Sequence, residues 1–372
     1  LVLVKEVKGK NELKEFMNIA WDLYKDDPNF VPPLKFDFMK TLCGKDNPLF
    51  MSGSHAFFIA YDEGKPEGRI CCGIDEDLNN KKNIKEGYIC LFECVNDKET
   101  AFKLFDAAID YILARGIDTV RGPVSPTSGD DYRGLLVKGF DGPPVLMNSY
   151  NPPYYQGFFE DYGFEKYLDL YAYYYDLQNL YMDRYKKIVE YAMKKFNFHV
   201  DAVDFGKLDS EMEDIKKVLD EAMPKEWEDM TPPGLDEVKA EGRKLKFMAD
   251  PDLIYIARYE DRPIGFAIAL PDYNQVLKKL DGSLFPFGIL KFLYYRRKIN
   301  GLRLFVAFVV PDFRKKAVNG AIFNKVFEAS IKKGYIYGEG STIGETNTAM
   351  RRDVENAGGI QYRTYRLYKK EI

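Results

Sequence analysis

The sequence predicts two α/β domains in tandem, and three observations carry that prediction. The chain has 372 residues, the length of about two ordinary domains. The stretch IAYDEGKPEG, beginning at Ile59, returns as IARYEDRPIG, beginning at Ile256, with no gap. In each half a further strand pattern follows, and behind it stands one amphipathic helix.

Each copy of the repeat reads as strand, turn, strand: an apolar run, a charged turn with Pro, then alternation in RICCGI and FAIALP. The next strands are GYICLFECV in the first half and RLFVAFVV in the second. The first-half helix, about 98 to 115, sets Ala101, Leu104, Phe105, Ala108, Ile109, Ile112 and Leu113 on one face. Its counterpart, about 318 to 333, sets Ile322, Phe323, Val326, Phe327 and Ile331 inward. Gly116 and Gly334 suit the left-handed stop that ends a helix. The halves close alike, on YLDLYAYYYDL and QYRTYRLYKKEI, both alternating Tyr/Leu strand patterns. A charged, helical stretch from about 179 to 252 holds helices near 186–195 and 210–222. The expected division is 1–178 and 179–372.

Composition narrows the function. The chain is 46% hydrophobic and 30% charged, with a formal net charge of −4. That balance argues against nucleic acid as the main partner, which calls for a basic domain. The five cysteines, Cys43, Cys71, Cys72, Cys90 and Cys94, form no C-x-x-C pair, and His55 and His199 are the only histidines. Free thiols in a reducing, cytoplasmic setting are expected, with no metal site. Cys90 and Cys94, four apart in one strand, are expected on the same face as core thiols. The N-terminal LVLVKEVKGK is too short an apolar stretch for a leader, and no run of about 18 apolar residues suggests a membrane span.

The segments VVPDFRKKAVNGAIF, ETNTAMRRDVENAGG and NPPYYQGFFEDYGF, in this order of strands and helices, resemble the GNAT superfamily of acyl-CoA-dependent N-acyltransferases. YNPPYY, RGPVSP and LFPFG resemble more closely a bacterial group of GNAT-like proteins. The resemblance covers nearly the whole chain as a tandem pair. It implies, for each domain, a central, mixed, mostly antiparallel sheet flanked by helices. It also implies acetyl-CoA or another acyl-CoA as donor, and a small-molecule or peptide amine as acceptor.

In that superfamily a loop reading Arg/Gln-x-x-Gly-x-Gly/Ala holds the coenzyme pyrophosphate on backbone N–H groups at a helix start. Here Arg314 takes the first place, Lys315 and Lys316 add charge, and Ala317 replaces the first glycine. Val318 follows, Asn319 takes the second small place, and Gly320 comes one step later. The corresponding first-half loop, FECVNDKETAF, is acidic. Asn96 is expected to cap the helix there, with Glu99 completing a capping box. The first domain is therefore expected not to bind coenzyme A at that place.

The resemblance further implies that the backbone N–H of Val309 or Val310 polarises the thioester carbonyl. Asn347 matches a family asparagine, but Val354 stands where a tyrosine acid is usual, and Phe159 stands there in the first half. Glu339 and Glu345, flanking the strand YGEGSTIGE, are the candidate bases. Asp130, Asp131 and Arg133, in a loop rich in turn residues, are candidate substrate contacts. Phe285 and Phe287, in an aromatic and basic insertion, are candidates to wall an acyl or substrate pocket, to touch a membrane surface, or to pack between domains. Two other readings fit the same pattern: a binding protein without turnover, and a Fem-type transferase that takes aminoacyl-tRNA as donor. Both monomer and homodimer are compatible with the sequence.

Overall fold

The computed structural model describes every residue except 45–46, 128 and 181–182, and it does not describe the side chains of 183–185. Two compact units divide the chain. The first takes Leu1–Leu170, Asn274–Tyr295 and Arg363–Ile372; the second takes Tyr171–Tyr273 and Arg296–Tyr362. A single cut at 178/179 therefore does not describe the units.

From the N-terminus the elements are β1 (Leu3–Glu6), α1 (Lys10–Leu23), α2 (Lys35–Leu42), α3 (Pro48–Met51), β2 (His55–Asp62), β3 (Lys65–Ile74), α4 (Glu76–Lys82), β4 (Gly87–Cys94), α5 (Lys98–Leu113), β5 (Thr119–Gly122), β6 (Leu135–Lys138), α6 (Tyr155–Asp161) and β7 (Glu165–Asp176). Then come α7 (Asp183–Phe196), β8 (Phe198–Ala202), α8 (Leu208–Ala222), α9 (Leu235–Leu245), β9 (Ile254–Tyr259) and β10 (Arg262–Pro271). The chain closes with α10 (Asn274–Leu280), α11 (Gly288–Tyr295), β11 (Gly301–Val309), α12 (Val318–Lys332), β12 (Tyr337–Gly344), α13 (Thr348–Asn356) and β13 (Ile360–Glu371). The chain passes into the second unit within β7 and leaves it within β13, two strands of 12 residues. Strands of that length run past the end of one unit's core, so the boundary falls inside an element and not in a linker.

In the first unit the strand order is β1-β2-β3-β4-β5-β13, with β6 also on β13. The ladders are antiparallel except β4 with β5, which is parallel. In the second unit the order is β7-β12-β11-β10-β9-β8. There β8–β9, β9–β10 and β10–β11 are antiparallel and β11–β12 is parallel. Each parallel pair encloses one crossover helix, α5 or α12. The mixed, mostly antiparallel sheets expected from the sequence are present in both units.

Periodicity places the cores. On α5, Ala101, Leu104, Phe105, Ala108 and Ile112 recur at helical spacing and are fully buried. Phe105 stacks on Phe92 of β4, ring centres 4.9 Å apart. Burying such a ring contributes about 2–3 kcal/mol. On α12, Val318, Ala321, Ile322, Phe323, Val326 and Phe327 form the matching face. Gly116 and Gly334 end these crossovers with φ of 75° and 85°, as expected.

Three sequence-based expectations need correction. The charged stretch 179–252, which belongs to the second unit, is not purely helical: β8 lies within it, with Phe198 and Val200 buried in alternation, and pairs with β9. Cys90 and Cys94 are both buried but belong to different core clusters. The β3–β4 register shifts between Arg69 and Cys71, and Leu91 has φ of 52°. The added residue reverses the strand's parity, so a spacing of four no longer keeps one face. Finally, α5 is capped by Asp97, not Asn96. The Asp97 carboxylate accepts from the Thr100 N–H at 2.7 Å and from its hydroxyl at 2.6 Å.

Candidate functional site

The second unit opens where its parallel strands part. β11 and β12 pair from Gly301↔Tyr337 to Leu304↔Gly340, the last pair among the described residues. β11 then continues beside β10 to Gly265↔Val309. The Val310 N–H donates to the Ile264 carbonyl at 3.0 Å. Of the two expected oxyanion donors, Val310 is therefore already engaged. Antiparallel alternation turns the N–H of Val309 the other way, toward the β12 side.

The turn after β11 leads directly to the start of α12. Residues Pro311–Phe313 form one 3-10 turn. Arg314 follows, and its guanidinium donates to the carbonyls of Val309 (3.3 Å) and Ala222 (2.8 Å). Ala222 is the last residue of α8, so Arg314 ties the turn to a helix C-terminus. Asp312 is paired with Arg262 at 2.8 Å. Lys315 and Ala317 both take left-handed backbone, φ 63° and 58°. Ala317 thus keeps a glycine-like conformation where the family pattern has glycine.

Ala317 caps α12 and has no side-chain acceptor to offer. The N–H groups of Val318, Asn319 and Gly320 fall in the first turn, which helix geometry leaves without an intrahelical partner. The first helical bond from this cap is Ala321 N–H to the Ala317 carbonyl at 2.9 Å. Lys316 lies over the Phe313 ring, 4.2 Å from its centre. The Asn319 side-chain amide donates to Asp353 at 2.9 Å. Burial raises the Asp353 carboxyl above its ordinary range, with the Asn319 bond opposing.

Beside this opening lies a buried polar cluster. Glu339, on β12, is fully buried. It accepts from the Ser341 hydroxyl at 2.5 Å and from the Tyr362 hydroxyl. Arg303, opposite Glu339 in the β11–β12 register, is also fully buried. It donates to the Ser341 carbonyl at 3.0 Å. Arg303 and Tyr362 were not legible as site residues. One reads as an isolated cation in an apolar strand, and the other as one of many C-terminal tyrosines. Glu345 is half-buried beyond the end of β12, where its backbone carbonyl accepts from Arg351 at 3.2 Å. Asn347 caps α13, accepting from the Met350 N–H at 3.2 Å, and Val354 is buried.

The equivalent region of the first unit is closed. The Cys94 N–H, at the end of β4, donates to the Tyr155 hydroxyl at 2.6 Å. The Tyr154 hydroxyl donates to the Cys94 carbonyl at 2.9 Å. Glu93 accepts from Tyr24 (2.7 Å) and Tyr155 (2.9 Å), and burial raises its carboxyl above the usual range. The N-terminus of α5 holds the Asp97 carboxylate, which its bonds to Thr100 keep below the ordinary value.

The remaining expected contacts lie in the first unit. Arg133 pairs with Asp130 at 3.1 Å, and Asp131 accepts from Ser125 (2.9 Å) and Thr127 (2.8 Å). These groups brace their own loop, of which residue 128 lies outside the described part. Phe285 and Phe287 are 76% and 69% exposed, so they wall no enclosed pocket.

Sheet order and crossover helices in both halves define a tandem GNAT fold, and solved structures agree. A tandem GNAT protein from the clavulanic acid biosynthesis pathway matches with a TM-score of 0.59 at 8% identity, over 100% of this chain and 98% of that one. A GCN5-related N-acetyltransferase from Sphaerobacter thermophilus matches with a TM-score of 0.55 at 10% identity, over 100% and 95%. The glucosamine N-acetyltransferase region of a fungal multi-domain β-N-acetylglucosaminidase gives 0.59 at 16%, over 100% of this chain and 38% of that longer one. No protein-family model matches the sequence. Protein YghO of Escherichia coli K12 is 30% identical over 378 residues, spanning 100% of this chain and 95% of that protein, and the chain belongs to its family. The bacterial ceramide synthase of Caulobacter vibrioides is 29% identical over 380 residues, spanning 98% and 96%.

Proposed function

We propose that the chain is an N-acyltransferase that moves an acyl group from acyl-CoA to the primary amine of a long-chain amino alcohol. The observation that carries this reading is the parting of β11 and β12 beyond Leu304↔Gly340, with the start of α12 at its end and Glu339 beside it. The near full-length similarity to a bacterial ceramide synthase supports the choice of acceptor, since a ceramide is an amide of such an amine.

The α12 N-terminus, with Lys315 and Lys316, holds the pyrophosphate, and Arg314 fixes the shape of the turn. The pantetheine arm runs between the parted strands, which brings the thioester carbonyl to the Val309 N–H. The neutral acceptor amine attacks the carbonyl carbon with its nitrogen lone pair, and as the C–N bond forms the nitrogen gives one proton to Glu339, directly or through the Ser341 or Tyr362 hydroxyl. The tetrahedral oxyanion leans on the Val309 N–H. The C–S bond breaks, the amide forms, and coenzyme A leaves as thiolate. A thiol's ordinary pKa near 8.5 makes that departure feasible without the acid that Val354 replaces.

The test is incubation of the purified chain with acyl-CoA and a panel of amines. Thiol release is followed by colour and the product by mass spectrometry. A long-chain amide formed at the expense of acyl-CoA is the expected result. Saturable acyl-CoA binding with no amide from any amine would leave a binding protein instead. Replacing Glu339 by Gln keeps the shape of the cluster and removes the base. It should lower turnover by about 10²–10⁴-fold and leave the acyl-CoA dissociation constant unchanged.

A further inference from the structure

We infer that the loop and helix from Phe285 to Tyr294 form a docking surface for an anionic lipid bilayer. This inference rests on the surface alone and does not depend on the reaction proposed above. Within the first unit, Phe285, Phe287, Ile289, Leu290, Leu293 and Tyr294 are all exposed, Leu290 at 67%. Six large apolar side chains on one short segment exceed the scattered exposure expected of a soluble surface.

Their outward presentation is built in. The Ser283 hydroxyl donates to the Phe285 carbonyl at 2.9 Å, and the Ile289 N–H donates to the Leu284 carbonyl at 2.9 Å. Gly288 lies so close to the turn that a Cβ there would stand 2.3 Å from the Ser283 carbonyl oxygen. The turn is fixed from the other side by the Lys35 N–H, which donates to the Gly282 carbonyl at 2.9 Å. That bond sets Phe36, 80% exposed, beside the same turn.

Charge selects the occupant. Between residues 278 and 294 of the same unit stand Lys278, Lys279 and Lys291, against the single acid Asp281, in a chain whose net charge is −4. A second copy meeting this surface about a two-fold axis would bring like charges together. An anionic bilayer accepts the rings and leucines at its headgroup boundary and attracts the cations, with each cation worth about fivefold in affinity. No helix among the described residues is long and apolar enough to cross a membrane.

The test is co-sedimentation of the full chain with vesicles of phosphatidylcholine alone and of phosphatidylcholine mixed equally with phosphatidylglycerol. The expected result is binding to the mixed vesicles only, weakened by added salt. A Leu290→Asp, Leu293→Asp variant should lose binding at least about tenfold with an unchanged melting curve. A Lys278→Gln, Lys279→Gln, Lys291→Gln variant should weaken it markedly and lose most of the salt dependence. Absence of wild-type binding would overturn the inference, as would binding indifferent to both variants. So would a dimer in size-exclusion chromatography that the Leu290→Asp, Leu293→Asp change dissociates.

Discussion

Ala317 is the residue on which the loop turns. A β-carbon in left-handed backbone costs about 1–2 kcal/mol, which glycine avoids. Replacing Ala317 by Gly should therefore raise the stability of the second unit by about 1 kcal/mol without weakening acyl-CoA binding. Urea unfolding read from Trp227 in a Trp21→Phe background checks this. Asp353 accepts a hydrogen bond from Asn319, in the first turn of α12. Its folded-state pKa is raised by burial. The stability it contributes is thus fully present below the unfolded value and is lost as pH rises through the folded one. Asp353→Asn removes that loss and also a negative charge near the proposed pyrophosphate position. Acyl-CoA affinity should rise roughly fivefold at neutral pH. The gap should close as the pH falls and the native carboxyl protonates, which titration calorimetry at several pH values will show.

At the scale of elements, the two crossover helices start in opposite ways, and both starts can be tested. α5 is closed by Asp97 on Thr100. Asp97→Ala should cost the first unit about 1 kcal/mol, read from Trp21 in a Trp227→Phe background. Asp97 has a depressed pKa, so its contribution is present above the unfolded value and fades as pH falls through the folded one. Much of this was legible in the sequence. Apolar spacing gave both helices, and the acidic first-half loop set it apart from the basic second-half one. What escaped had a physical reason. The cap moved from Asn96 to Asp97 because either residue type caps well and only backbone geometry chooses. β8 was hidden because five residues with His199 and Asp201 facing out carry little apolar signal. The Cys90/Cys94 parity was lost to a bulge at Leu91, a backbone event without a sequence mark. The Glu339 cluster joins residues 23 apart in sequence, so Tyr362 looked like any strand tyrosine.

For the whole molecule, the internal repeat announced two units of one fold, and each unit has the expected sheet. The repeat could not show that the first unit takes back 274–295 and 363–372. The return of 363–372 is set by which strand the long C-terminal segment joins, and β13 pairs with β5 and β6. The central claim of asymmetry is a statement about the whole chain: two like units, one acyl-CoA site. Calorimetric titration of acetyl-CoA and of CoA into the wild type, the Lys315→Glu, Lys316→Glu variant and the Asp97→Ala variant tests it most directly. The account predicts one site per chain, lost in the lysine variant and kept in the Asp97 variant. Two sites per chain, or heats that the lysine variant leaves unchanged, would contradict it.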